Sequence, residues 1–238
     1  MSHLPTLFHL LNSYRHLPAY QLERRADIFF AIYLPAFLER RLGVPLEPIM
    51  IPELPLKRDL VVEPTSKNNS VKVDYCLIAG DRSRVYFVEL KTDGKSRNAE
   101  QDAYLARARE LGFRPLVEGM VDIMGATQDY GKYFHLADIL AAYGYLKLPD
   151  ELEERVFTTP RRGVKKAFAA IEVTELDAPV DIIYLQPTLP KNPGDETYIL
   201  FPQFAEFVGQ FPDEFSQLFA ESLQVWASTP AGSVRPDS

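Results

Sequence analysis

The apolar and polar positions of the chain divide it into helical and extended stretches. Over Ala19–Leu42, residues Leu22, Ala26, Phe29, Phe30, Tyr33, Phe37 and Leu38 recur at helical spacing. They predict a helix with Pro35 as a kink and Gly43 as its stop. Glu23 and Asp27 stand one turn apart on the margin of that stripe, either solvated or directed over a sheet. Ile49–Leu56 alternates loosely and holds two prolines, which suits a strand toward a sheet edge. Glu63–Ser70 reads as a loop. Val71–Ala79 and Arg84–Lys91 are apolar runs flanking Gly80-Asp81-Arg82-Ser83, and this pattern predicts a hairpin whose turn is suited by the glycine. Both faces of the hairpin are apolar, as expected of a central pair of strands covered above and below.

Beyond the hairpin, Thr92–Asn98 is polar and loop-like. Asn98 is placed to cap a helix over Ala99–Leu111 that ends at Gly112. Gln101 and Tyr104 are neighbours on one face of that helix. Phe113–Met124 fits a strand or a loop, and Tyr133–Tyr145 a helix in which His135 and Asp138 lie one turn apart. Arg161, Arg162, Lys165 and Lys166 make the densest basic cluster, which is either a solvated face or a phosphate contact. Val180–Pro187 is a strongly apolar strand, Lys191–Thr197 a turn, and Tyr198–Phe201 a short strand. Phe204–Trp226 is amphipathic and helical with a break near Pro212, and Ser228–Ser238 reads as a loose tail.

The hairpin concentrates the chemistry. If Ala79 faces Arg84 across the turn, Asp74 falls opposite Glu89, and Lys91 shares the face of Glu89. Glu-x-Lys alone is common in chains of this size. An acid facing an acid is not, because two carboxylates in a partly dry place repel. They need a cation, a shared proton or water. A divalent metal between them, with Lys91 alongside, is the sharpest reading; ordinary charge pairing at a strand end is the plainer one.

Composition narrows the setting. At 238 residues, 46% hydrophobic and 25% charged, the chain has the make-up of one sizeable globular domain, 1–227, with a tail over 228–238. The formal net charge of −7 supplies no bulk basic field, so any nucleic-acid contact must be local. The single Cys76 excludes a disulfide framework and a cysteine zinc site, which favours a cytoplasmic location. The N-terminal residues lack the pattern of a signal peptide, no stretch is apolar enough to span a membrane, and His3, His9 and His16 are spaced like scattered surface histidines.

The order of helix, strand, Asp-bearing and Glu-x-Lys-bearing hairpin, and helix resembles the PD-(D/E)xK nuclease superfamily. Val73-Asp74 and Glu89-Leu90-Lys91 carry the resemblance, and Gln101-Asp102-Ala103-Tyr104 is similar to the Gln-x-x-Tyr of its RecB-like branch. Val73 stands where the family name has proline. The resemblance implies an α/β restriction-endonuclease-like αβββαβ core, with a helical insertion at about 113–179 and a C-terminal helical region. It further implies a metal-dependent nuclease acting on nucleic acid, DNA foremost, with room for a homodimer. Mg²⁺ or Mn²⁺ would be held by Asp74, Glu89 and the backbone carbonyl of Leu90, with Glu23 as a further candidate. Lys91 would orient or deprotonate the attacking water, or stabilise developing charge. Gln101 and Tyr104, with the basic cluster, would position nucleic acid or support the ligands. The alternative is a non-catalytic protein of the same fold that binds nucleic acid or protein.

Overall fold

The structure is a computed structural model that describes residues 2–17, 20–62, 70–93, 98–128, 130–191, 193–194 and 196–229. Most of the expected loop at 63–70, part of those at 92–98 and 191–197, and nearly all of the tail lie outside the described residues. In chain order the chain forms α1 (Leu4–Tyr14), α2 (Leu22–Leu42), β1 (Ile51–Lys57), α3 (Arg58–Val61), β2 (Ser70–Ile78), β3 (Val85–Leu90) and α4 (Ala99–Leu111). It continues through α5 (Phe113–Ala126), α6 (Tyr130–Ala142), β4 (Leu146–Lys147), α7 (Asp150–Glu153), α8 (Pro160–Phe168) and β5 (Glu172–Val173). The last elements are β6 (Val180–Gln186), β7 (Thr197–Leu200), α9 (Phe201–Val208) and α10 (Glu214–Ser228). The fold is mixed α/β. A five-stranded sheet has the order β1-β2-β3-β6-β7, with β1 antiparallel to β2 and β6 parallel to β7. No helix among the described residues is long and apolar enough to cross a membrane.

Two compact units divide the chain. The first comprises 1–44, 88–98 and 183–238; the second comprises 45–87 and 99–182. β3 and β6 therefore each begin in the second unit and end in the first.

Aromatic packing holds the first unit together. Phe30 of α2 lies 5.6 Å from Phe204 and 5.2 Å from Phe219 between ring centroids, and Phe8 of α1 lies 5.5 Å from Phe215. Such rings bury large apolar areas and gain further from their tilted and edge-on geometry. Two polar contacts lie among these rings: Trp226 Nε1 donates to Asn12 Oδ1 at 2.7 Å, and the Tyr33 and Ser216 hydroxyls meet at 2.7 Å. Asp213 caps α10 by accepting from the Ser216 N–H at 2.9 Å; its bond from the Ser216 hydroxyl first, and then this N–H bond, lower its carboxyl pKa. Gly43 ends α2 at φ 70°, a left-handed conformation that favours glycine.

The second unit contains the hairpin turn. Ala79 N–H donates to the Arg84 carbonyl at 2.9 Å, the first rung expected from the sequence. Gly80 is not the left-handed residue of the turn, however. Arg82 takes φ 59°, while Gly80 lies beside Pro45 and donates its N–H to the Pro45 carbonyl at 2.8 Å. Phe113–Met124, which fitted a strand or a loop, falls within helix α5. The helix packs against β1 through Gly119, where a Cβ would stand 2.6 Å from Leu60 Cδ1 and 3.0 Å from Lys57 Cβ. A residue that depresses helix propensity is kept here because nothing larger fits. Asp138, one turn from His135 on α6, pairs with Arg155. Residues 113–179 thus form α5 to α8 with the β4–β5 pair, in the same unit as the hairpin turn.

Candidate functional site

Glu89 is the penultimate residue of β3 and Lys91 the first after it. The Lys91 N–H donates to the Leu185 carbonyl of β6 at 2.8 Å, so the residue remains tied to the sheet beyond the strand's end. Both side chains are buried, Glu89 1% and Lys91 5% exposed, and Lys91 Nζ donates to Glu89 Oε1 at 2.8 Å. Lys91 also lines a cavity of about 200 Å³ with Asp93, Gln186 and Lys191. Gln186 is itself buried and donates from Nε2 to the Thr188 carbonyl at 2.6 Å. An ammonium held at a cavity wall by its own carboxylate is an oriented proton donor and a fixed positive charge.

Glu23, in the first turn of α2, is half-buried. It lines a second cavity of about 390 Å³ with Arg15, Arg24, Thr92 and Asp93. Asp93 thus borders both cavities. All of these residues, with Leu90, belong to the first unit.

The remaining expected residues lie in the second unit. Asp74 is half-buried on β2, and Gln101 and Tyr104 lie on α4. Tyr104 is buried, and its hydroxyl donates to the Lys72 carbonyl of β2 at 2.8 Å, so it fastens α4 to the strand two residues before Asp74. Arg161, Arg162, Lys165 and Lys166 are all exposed on α8, opposite buried Val164, Ala167 and Phe168. Arg161 additionally donates to Gln128 Oε1 at 2.6 Å.

Among the described residues no group of three or more His, Cys, Asp or Glu is gathered to hold a metal ion. Mg²⁺ does not require one, since it takes one or two carboxylates and keeps several waters. The expected donors, carboxylate and backbone carbonyl oxygens, are the hard ligands that such an ion prefers.

Arg15, Thr92, Asp93, Gln186 and Lys191 were not singled out from the sequence. Thr92 and Asp93 directly follow Glu-x-Lys, and Gln186 is a polar residue at the end of an apolar strand, so a signal existed for those three. The burial of Arg15 has no such local signature. It is 3% exposed, burial pulls its guanidinium pKa below the ordinary value, and the field of Asp93 opposes that shift. Burial likewise pushes the Cys76 thiol well up, as expected of an inert core cysteine. No family model, curated protein or solved structure matches the chain.

Proposed function

We propose that the protein is a metal-dependent nuclease that hydrolyses phosphodiester bonds of nucleic acid, DNA foremost, on a restriction-endonuclease-like core. The buried Glu89–Lys91 pair carries this reading. Burying two opposite charges costs each its hydration, and exchanging such a pair for apolar residues is often neutral or stabilising. Stability alone therefore gives little reason to keep the pair at a cavity wall. Asp74, Glu89 and the Leu90 carbonyl would hold Mg²⁺ or Mn²⁺, with Glu23 as a further ligand. The ion, when bound, would supply Lewis acidity and an activated water. Lys91 holds a proton on Nζ that can stabilise charge growing on the phosphate or pass to the leaving oxygen as its bond to phosphorus breaks. Tyr104 holds the strand that bears Asp74, and the basic row of α8 supplies sequence-independent phosphate contacts.

The engaged state of Lys91 also supports a second reading, a non-catalytic protein of the same fold in which the pair is a structural fixture. Cleavage of a mixed pool of DNA and RNA with Mg²⁺ or Mn²⁺ decides between them. The nuclease reading expects cleavage that chelator abolishes and Lys91→Ala removes. Absence of cleavage in the unaltered protein favours the second, whereas full activity in Lys91→Ala removes the catalytic role of Lys91.

A further inference from the structure

The middle of α2, Ile28–Leu38, contains no charged residue over about three turns. Its inner side is buried at Phe30, Tyr33, Leu34, Phe37 and Leu38. The outer side is not: Ile28 and Ile32 are 61% and 57% exposed, and Ala36 is exposed beyond them. A helical segment that is apolar all round is ordinarily covered all round, because a surface helix carries polar residues on its outer face. Helix formation gives no reason for the isoleucines either, since β-branched side chains lose rotamer freedom there and Ala, Lys or Glu would serve better. The segment is too short to span a bilayer.

The order of residues along this outer stripe says what covers it. The stripe is mirrored about Ile32, with Ile28 and Ala36 four residues to either side and Arg25 and Glu39 seven. All four are exposed and, at 3.6 residues per turn, lie within about 40° of the direction of Ile32. When two copies lie antiparallel with Ile32 on the two-fold axis, Ile28 of each meets Ala36 of the other, and Arg25 of each meets Glu39 of the other. A parallel pairing would set Arg25 against Arg25 and Glu39 against Glu39, which repel. We infer that the outer face of α2 docks a second copy of this chain as an isologous, antiparallel dimer centred on Ile32. The apolar centre supplies the attraction, and the charged pairs at its ends fix direction and register. One helix per copy makes a small interface, so the association is weak, with a dissociation constant on the order of 10 μM. Glu23 lies about two and a half turns from Ile32, on the opposite side of α2, so the inference needs nothing from the nuclease reading.

Sedimentation equilibrium of the full chain between ~1 μM and ~500 μM tests the dimer. The mean mass should rise from one chain towards two. One chain at every concentration overturns the inference and leaves the stripe to a different partner. Ile32→Asp sets two carboxylates against each other on the axis and should weaken association on the order of a hundredfold, with the far-UV circular dichroism of the parent retained. An unchanged dimer in that variant overturns the assignment to α2; should it fail to fold, Ile28→Asp is read in the same way. Arg25→Glu and Glu39→Arg should each weaken association roughly fivefold to thirtyfold at low salt, because two opposite-charge pairs become two like-charge pairs. The double variant should restore it, and the two single variants, mixed, should associate more tightly than either alone. A double variant as weak as the singles overturns the antiparallel register.

Discussion

Lys91 and Arg15 are buried cations of the same unit, kept in opposite ways. Lys91 meets the carboxylate of a residue two positions earlier at 2.8 Å, so its charge is answered locally. Arg15 has a backbone carbonyl on one nitrogen, and Asp93 acts on it through its field. Burial therefore does not by itself tell a structural charge from a functional one. The source of its compensation does, and for Arg15 the described chain supplies only part.

The largest expected effect comes from breaking the matched pair. Lys91→Ala removes the ammonium that lies 2.8 Å from the buried Glu89 carboxylate and should cost ~3–5 kcal/mol, read from the urea midpoint. Replacing both residues together, Glu89→Leu with Lys91→Met, should recover most of that loss. A single variant as stable as the parent would show that the pair is not held as described. If the carboxylates hold a divalent ion, millimolar Mg²⁺ should raise the melting temperature of the unaltered protein, and more so that of Lys91→Ala.

Tyr104→Phe comes next. It removes one hydrogen bond to the β2 backbone and should cost about 1 kcal/mol in the same urea titration. If nucleic-acid affinity falls while stability holds, the hydroxyl serves the ligand and not the strand.

Arg15→Met should change stability by less still, below ~1 kcal/mol in either direction, because it removes a charge that the fold only partly compensates. A loss as large as that of Lys91→Ala would erase the contrast between the two cations.

The smallest effect is local, and proton NMR reads it. His16 titrates below its ordinary value of 6.5, first because of burial and then because of the neighbouring Arg15 charge. The unfolded chain thus binds this proton more readily than the folded one, and His16 costs stability as pH falls through that ordinary value. Removing Arg15 should move the His16 pKa upward. An unmoved His16 would mean that the Arg15 charge is already neutralised.

The sequence made some of these features legible and hid others for physical reasons. The hairpin was legible because two apolar runs around a short polar turn admit few other structures, and the Ala79–Arg84 rung follows from that pattern. The limits of α4 and the left-handed stop of α2 at Gly43 were legible from local punctuation. Helix α5 was not, because Pro115, Gly119 and Gly125 lower its helix propensity, and the reason for Gly119 is a close approach to Lys57 and Leu60 that only tertiary packing creates. Helix α1 was missed for a related reason: its apolar face matters only because Phe8 meets Phe215 and Phe219 some two hundred residues later. At the site, Glu89 and Lys91 lie two residues apart and their pairing could be anticipated. Arg15 and Thr92 are far apart in sequence, and the cavity they line belongs to the fold.

The division of β3 and β6 between the two units has a consequence during synthesis. The last residue of the second unit is Ile182, whereas the first unit still awaits 183–238, which carry the end of β6 with β7, α9 and α10. A chain growing from its N-terminus therefore holds the complete second unit while Phe8, Phe29 and Phe30 still lack Phe204, Phe215, Phe219 and Trp226. Until those residues emerge from the ribosome, α1 and α2 present their aromatic faces without their partners, and the nascent chain is most exposed to chaperones and aggregation in that interval.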